Sequence, residues 1–235
     1  MHFDFFTPDA PGEPTMSLET IELNPAGDAA ASVIILHGLG ADGTDFLSFG
    51  EQLDLSAIGP VRYVLPRAPV RPVTINNGYR MRAGYDILGT LVDGREDEAG
   101  LRDSMREVHA LLDRERARGV AANRIVLGGF SQGCAMTLLA GLRYPQRLGG
   151  LVCMSGYLPL AGSTAAERHD ANALVPIFMA HGKRDAVIAL DRATASRDAL
   201  TKLGYVVQWN EYPMEHSVCM DEVEALNAWL LKVLR

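Results

Sequence analysis

Residues 124–142 read Arg-Ile-Val-Leu-Gly, then Gly129-Phe130-Ser131-Gln132-Gly133, then Cys-Ala-Met-Thr-Leu-Leu-Ala-Gly-Leu. The first five are short and β-rich, and the last nine read as a buried helix. Between them lies a G-x-S-x-G pentapeptide. A serine on such a strand-to-helix turn is held in a strained conformation, with its hydroxyl exposed at the carboxyl end of a sheet and near the positive end of a helix. The flanking glycines keep side chains from colliding with neighbouring elements. The setting, more than the five letters, makes Ser131 a candidate nucleophile.

Outward from this turn, β-branched apolar runs alternate with helical patterns. The runs are 33–36, 61–65, 125–127, 150–154, 175–180 and 206–210. Continuous apolar strands are covered on both faces, which predicts a mostly parallel central sheet with helices on both sides, an α/β fold. From Asp97 to Arg118, apolar residues Leu101, Met105, Val108 and Leu112 share one helical face, closed by Gly119. Val223, Leu226, Leu230 and Val233 do the same in a last helix. No repeat or linker divides the chain, so residues 16–235 are expected to form one domain, with 1–15 a flexible extension. About thirty residues from Pro66 to Glu96 lack periodicity yet carry Val73, Ile75, Tyr79, Met81, Tyr85, Ile87 and Leu88. That is too apolar for disorder and predicts a folded excursion over the functional face.

Bulk properties narrow the class. The 235 residues are 48% hydrophobic and 22% charged, with a net charge of −7, an ordinary globular composition. The acidic balance speaks against nucleic acid as a partner, because phosphate neutralisation needs clustered Lys and Arg. No run of ~18 apolar residues predicts membrane insertion, and no signal peptide is visible at the start. Three cysteines, Cys134, Cys153 and Cys219, have no metal-ligand spacing. They read as free thiols of a reducing compartment, hence a cytoplasmic location. Cys219, three residues after His216, is a minor candidate for a reactive thiol.

A nucleophilic serine needs a base, and the base an orienting acid. On α/β-hydrolase sheets these follow in the order Ser, Asp or Glu, His, each after a later strand. Asp185 follows the strand at 175–180, and His216 follows the one at 206–212, both at the carboxyl edge. Asp170 and Asp191 are alternative acids, with Asp191 better read as a helix N-cap. His37 and His181, in His-Gly pairs at strand ends, read as buried imidazoles with backbone partners. His109 and His169 read as solvated, and His2 lies in the N-terminal tail. An oxyanion needs two donors. The backbone N–H of Gln132 is one, and that of Leu39, in the glycine-rich loop His37–Gly43, is the other.

The motifs His37-Gly-Leu-Gly-Ala-Asp-Gly43, Pro66-Arg67-Ala68-Pro69, Gly129–Gly133, His181-Gly-x-x-Asp185 and His216-Ser217 resemble the phospholipase/carboxylesterase family, over about Leu18–Arg235. The resemblance implies an α/β-hydrolase domain without a large cap, which cleaves carboxylic esters and thioesters through an acyl-enzyme and uses no cofactor or metal. It implies Ser131, Asp185 and His216 as nucleophile, acid and base, and the Leu39 and Gln132 amides as oxyanion donors. A small-molecule ester or acyl thioester is the expected partner, with acyl-protein thioesterase or lysophospholipase activity on long chains as the alternative; a homodimer stays open. Ile75, Met81, Gly84, Tyr157 and Leu158 are the expected substrate-binding residues. The chain departs from the family at Gly84, where tryptophan is usual, which suggests a wider or more mobile acyl site. Smaller departures are Cys134 and Ala186.

Overall fold

The centre of the fold is the pairing of two parallel strands, β2 (Ala31–Leu36) and β6 (Ile125–Phe130), in a register that sets Leu36 opposite Gly129. The computed structural model describes residues 18–89 and 95–235; the expected extension at 1–15 lies outside them. The remaining strands of the main sheet are β1 (Thr20–Leu23), β3 (Val61–Pro66), β7 (Gly150–Met154), β8 (Ile177–Gly182) and β9 (Val207–Tyr212). Their order is β1-β3-β2-β6-β7-β8-β9, all parallel except the edge strand β1, which runs antiparallel to β3. Successive crossovers run one way from β2 to β3 and the other way from β6 onward. The carboxyl ends of β2 and β6 therefore flank the point where the connections diverge, the place where open α/β sheets form a crevice.

Alternate strand residues face alternate layers, as pleating requires. Ile34 and Leu36 of β2 pack with Leu127, Leu151, Leu101, Val108, Leu112, Leu138 and Leu142. These side chains bring in the helices α2 (Glu98–Ala117) and α3 (Gln132–Arg143). Val33 and Ile35 face the other way, against Phe49, Val126, Phe178, Val223, Leu226, Trp229 and Leu230, bringing in α1 (Leu47–Gln52) and α6 (Met220–Val233). Two further helices, α4 (Ala161–Glu167) and α5 (Leu190–Lys202), follow β7 and β8. The apolar face read at Leu101, Val108 and Leu112 is buried as expected, Asp97 caps the helix by accepting from the Gly100 N–H, and Gly119 takes φ 95° just beyond it.

One local expectation needs correcting, and one gains detail. Asp191 is not an N-cap: α5 starts at Leu190 with Ala189 as the cap, and Asp191 lies in the first turn, where its charge complements the helix dipole. The aperiodic stretch after Pro66 contains a small antiparallel hairpin, β4 (Val70–Val73) with β5 (Tyr79–Arg82), joined through a short 3-10 turn. Its strands have four residues each and one carries Pro72, too short for alternation to register in the sequence.

Besides Asp185, two carboxylates among the described residues are buried, and they differ in character. Glu115 of α2 is answered by Ser32, by Arg62 at 3.0 Å and by Arg118 at 2.8 Å. Glu222, in the first turn of α6, is fully buried and its oxygens make no sound hydrogen bond. Burial, opposed by the nearby Cys219 backbone, pushes its pKa up to about 8. A carboxyl held neutral in the fold but ionised in the unfolded chain loses stability as pH rises between those two pKa values. Between about pH 4.5 and about pH 8 this group alone is therefore expected to remove on the order of 5 kcal/mol of stability. Chemical denaturation near both limits should show that slope, and Glu222→Gln should flatten it.

Candidate active site

Ser131 stands between β6 and α3 with φ 56° and ψ −117°, a conformation that costs a non-glycine residue about 1–3 kcal/mol. Its surroundings enforce it. The Ser131 N–H donates to the Met154 carbonyl of β7 at 2.9 Å. A Cβ on Gly129 would collide with the Gly133 backbone, and one on Gly133 with the Leu36 carbonyl. The two glycines let strand and helix meet at van der Waals contact and so carry the turn. Gln132 is then the first residue of α3, where backbone N–H groups lack intrahelical acceptors.

Asp185 and His216 lie beyond the ends of β8 and β9. Asp185 is buried, and its Oδ1 accepts the Val187 and Ile188 N–H groups at 2.8 Å each. Those bonds fix the carboxylate, whose Oδ2 meets His216 Nδ1 at 2.7 Å. The Phe130 ring supports the imidazole, with centroids 4.7 Å apart. Ser131 and His216 line one open cleft of about 640 Å³, together with Gly38, Leu39, Phe46, Phe49, Phe130, Val218, Cys219 and Val223. The arrangement can hold an imidazole in a defined tautomer beside a serine at a helix N-terminus, which is the equipment of general-base-assisted acyl transfer.

Leu39 contributes its side of the cleft with its amide directed to no backbone carbonyl among the described residues. The two amides that follow are used: Gly40 N–H donates to Arg82 O at 2.8 Å, and Ala41 N–H to Gly38 O at 3.2 Å. Asp42 fastens the loop below, receiving Arg67 Nε at 3.0 Å and Arg82 Nε at 2.7 Å. Asp42, Arg67 and Arg82 come together only because the hairpin folds back, which spacing in the sequence does not show.

The five expected substrate residues do not gather here. Gly84 lies across Gln132 from the cleft, in a small cavity of about 40 Å³ with His37 and Met136. Tyr157 and Leu158 line a separate hollow of about 230 Å³, where the Tyr157 and Tyr85 hydroxyls meet at 2.7 Å and Arg192 lies 3.3 Å over the Tyr157 ring. Ile75 is exposed on the hairpin turn. Met81 alone comes close, its sulfur 3.5 Å from where a Gly40 Cβ would stand. The Gly84 backbone is hydrogen-bonded on both sides: its N–H donates to Gln132 Oε1 at 2.8 Å and its carbonyl accepts from Ser104 Oγ. The Gln132 amide, which also donates to Tyr85 O at 2.9 Å, clamps this strand end.

The other histidines divide as follows. His37 and His181 are buried with backbone partners, as read. His169 is exposed. His109 is a correction: it is partly buried, with Nε2 2.9 Å from the Ala140 carbonyl and its ring against Tyr144, and burial lowers its pKa. Its partners come from α3 and were invisible from α2. Cys134 and Cys153 are buried free thiols, and Cys219 is free and faces the cleft.

A phospholipase/carboxylesterase family model matches residues 19–234. Acyl-protein thioesterase 1 of Neurospora crassa is 40% identical over 215 residues, covering 87% of each chain. Among solved structures, SOBER1 of Arabidopsis thaliana superposes with a TM-score of 0.83 at 29% identity, over 87% of this chain and 99% of that one. Acyl-protein thioesterase 2 of Zea mays gives 0.82 at 29% identity, over 92% and 99%. For the Asp185–His216 pair, Asp185→Asn is expected to keep the fold and the two backbone-to-Oδ1 bonds while favouring the wrong imidazole tautomer. Turnover of an activated ester should fall by about 10⁴-fold, read as kcat with the melting temperature as control.

Proposed function

From the premise that the chain belongs to the phospholipase/carboxylesterase family, serine hydrolases with the α/β-hydrolase fold, we propose that Ser131, Asp185 and His216 form the catalytic triad of an ester and thioester hydrolase. The observation that carries this is the meeting of Ser131 and His216 in one cleft, with His216 held by a buried, doubly anchored Asp185.

The reaction runs through an acyl-enzyme. His216 Nε2 takes the proton as Ser131 Oγ attacks the acyl carbonyl, and charge moves onto the carbonyl oxygen. The Leu39 and Gln132 N–H groups receive that oxyanion at the positive end of α3, where fixed dipoles need no reorganisation. The imidazolium then protonates the departing alcohol or thiol, and the acyl-serine is hydrolysed by a water activated by the same imidazole. Asp185 fixes the tautomer and stabilises the imidazolium throughout.

Three finer assignments accompany this. The acyl group is medium to long, because Leu39, Phe46, Phe49, Phe130, Val218 and Val223 give the cleft apolar walls, and because relatives at 34–40% identity carry the name acyl-protein thioesterase 1. The compartment is the cytoplasm, in line with three unpaired cysteines; no helix among the described residues is long and apolar enough to cross a membrane. A homodimer would bury the exposed Val70, Ile75 and Tyr79 of the hairpin.

A panel of p-nitrophenyl esters and S-acyl thioesters of increasing chain length tests the reading. Hydrolysis of both linkages is expected, with kcat/KM rising from acetyl into the medium chains. Ser131→Ala should lower kcat by at least about 10⁴-fold with an unchanged melting temperature; an active Ser131→Ala would refute the assignment.

A further inference from the structure

His37 closes β2 with a ring that is 6% exposed and both of whose nitrogens are engaged. Nδ1 lies 2.7 Å from the Gly38 carbonyl, and Nε2 lies 2.9 Å from the Ala68 amide nitrogen. A backbone N–H can only donate, so Nε2 accepts, the proton resides on Nδ1, and Nδ1–H donates to Gly38 O. Burial lowers the pKa of this histidine and favours the neutral ring that such a pattern needs.

The Gly38 carbonyl and the Leu39 N–H belong to one peptide unit. That unit is planar and trans, so its C=O and N–H point in opposite directions. Fixing the carbonyl on the His37 ring therefore aims the Leu39 N–H away from that ring. Gly38 and Leu39 both line the cleft, and Gly38 approaches so closely that a Cβ on it would stand 3.2 Å from the Ser131 Cβ. The direction left to the Leu39 N–H is toward the serine.

We propose that His37 is a positioning residue for hydrolysis: its Nδ1–H holds the Gly38–Leu39 peptide in the orientation that binds the oxyanion, and the Ala68 N–H sets the tautomer that makes this possible. The proposal rests on Ser131 as nucleophile and Leu39 N–H as donor. It also joins the oxyanion loop to the hairpin. Ala68 O accepts Arg82 Nη1 at 2.9 Å, Arg82 O accepts the Gly40 N–H at 2.8 Å, and Ala68 N–H returns to His37. The loop and the hairpin base thus form a closed hydrogen-bonded ring through His37, Gly40, Ala68 and Arg82.

Two substitutions separate the ring's two bonds. In His37→Asn the side-chain NH2 stands near the place of Nδ1 and can still donate to Gly38 O, but nothing reaches Ala68. In His37→Gln the side-chain oxygen can still accept from Ala68, but Gly38 O loses its 2.7 Å imidazole donor and keeps only the longer 3.2 Å bond from the Ala41 N–H. Kinetics on an activated ester, affinity for an alkylboronic acid that forms a tetrahedral serine adduct, and melting temperature are measured for both. His37→Gln is expected to lose about 10- to 100-fold in kcat, a fraction of the loss from deleting an oxyanion donor, with KM changed less than about threefold and boronate affinity falling in parallel. His37→Asn should stay within about tenfold of the parent kcat, even if its melting temperature is the lower of the two. Equal losses that track melting temperature, or His37→Gln at parental kcat, would overturn the proposal. Ser131→Ala, run alongside, separates the premises: an inactive Ser131→Ala with a fully active His37→Gln overturns the role of His37 alone, whereas an active Ser131→Ala removes the serine chemistry on which it rests.

Discussion

Everything at this site depends on how closely α3 approaches the end of β2. Gly133 rests against the Leu36 carbonyl, and Gly129 against the Gly133 backbone, at separations that exclude any side chain. That contact fixes the turn, and the turn holds Ser131 at φ 56°. Because β2 and β6 are neighbours, the same contact brings the loop after β2 beside the serine. The loop after β2, the N-terminus of α3 and the serine hydroxyl are therefore positioned by one backbone packing event rather than by three separate ones. The strain of the serine is carried by a sheet whose two central strands are almost wholly buried.

Backbone packing and topology decide which of these features are legible in the sequence. Gly129 and Gly133 are legible because backbone proximity demands glycine on both sides of Ser131. Asp185 follows the fully buried strand β8 and His216 the half-buried edge strand β9, and because the two strands are parallel both residues come to the same edge of the sheet. Strand order is harder to read. The antiparallel β1 has no continuous apolar run, since its residues are only half buried. The hairpin is built from short strands whose hydrogen bonds, not whose hydrophobic pattern, hold them.

At several residues the surroundings come from elsewhere in the chain, where a local pattern does not show them. His109 looks solvated on its own helix, yet Ala140 and Tyr144 cover it. Gln132 and Ser104 hold the amide and carbonyl of Gly84. Tyr157 and Leu158 follow the sheet's carboxyl edge correctly but turn into a different hollow. Glu222 sits in an ordinary acidic first turn, and only the packing of α6 on the sheet reveals a fully buried carboxyl. Gln132 opens α3 with its backbone while its side chain ties Gly84 and Tyr85.

The claim at the centre is that Ser131 is the group that becomes covalently acylated, in a cleft that also contains the free thiol of Cys219. Mass mapping after reaction with a fluorophosphonate tests it most directly. The account predicts one adduct per chain, located on the peptide bearing Ser131 and absent from Ser131→Ala. An adduct on Cys219, or none on the active protein, would contradict it.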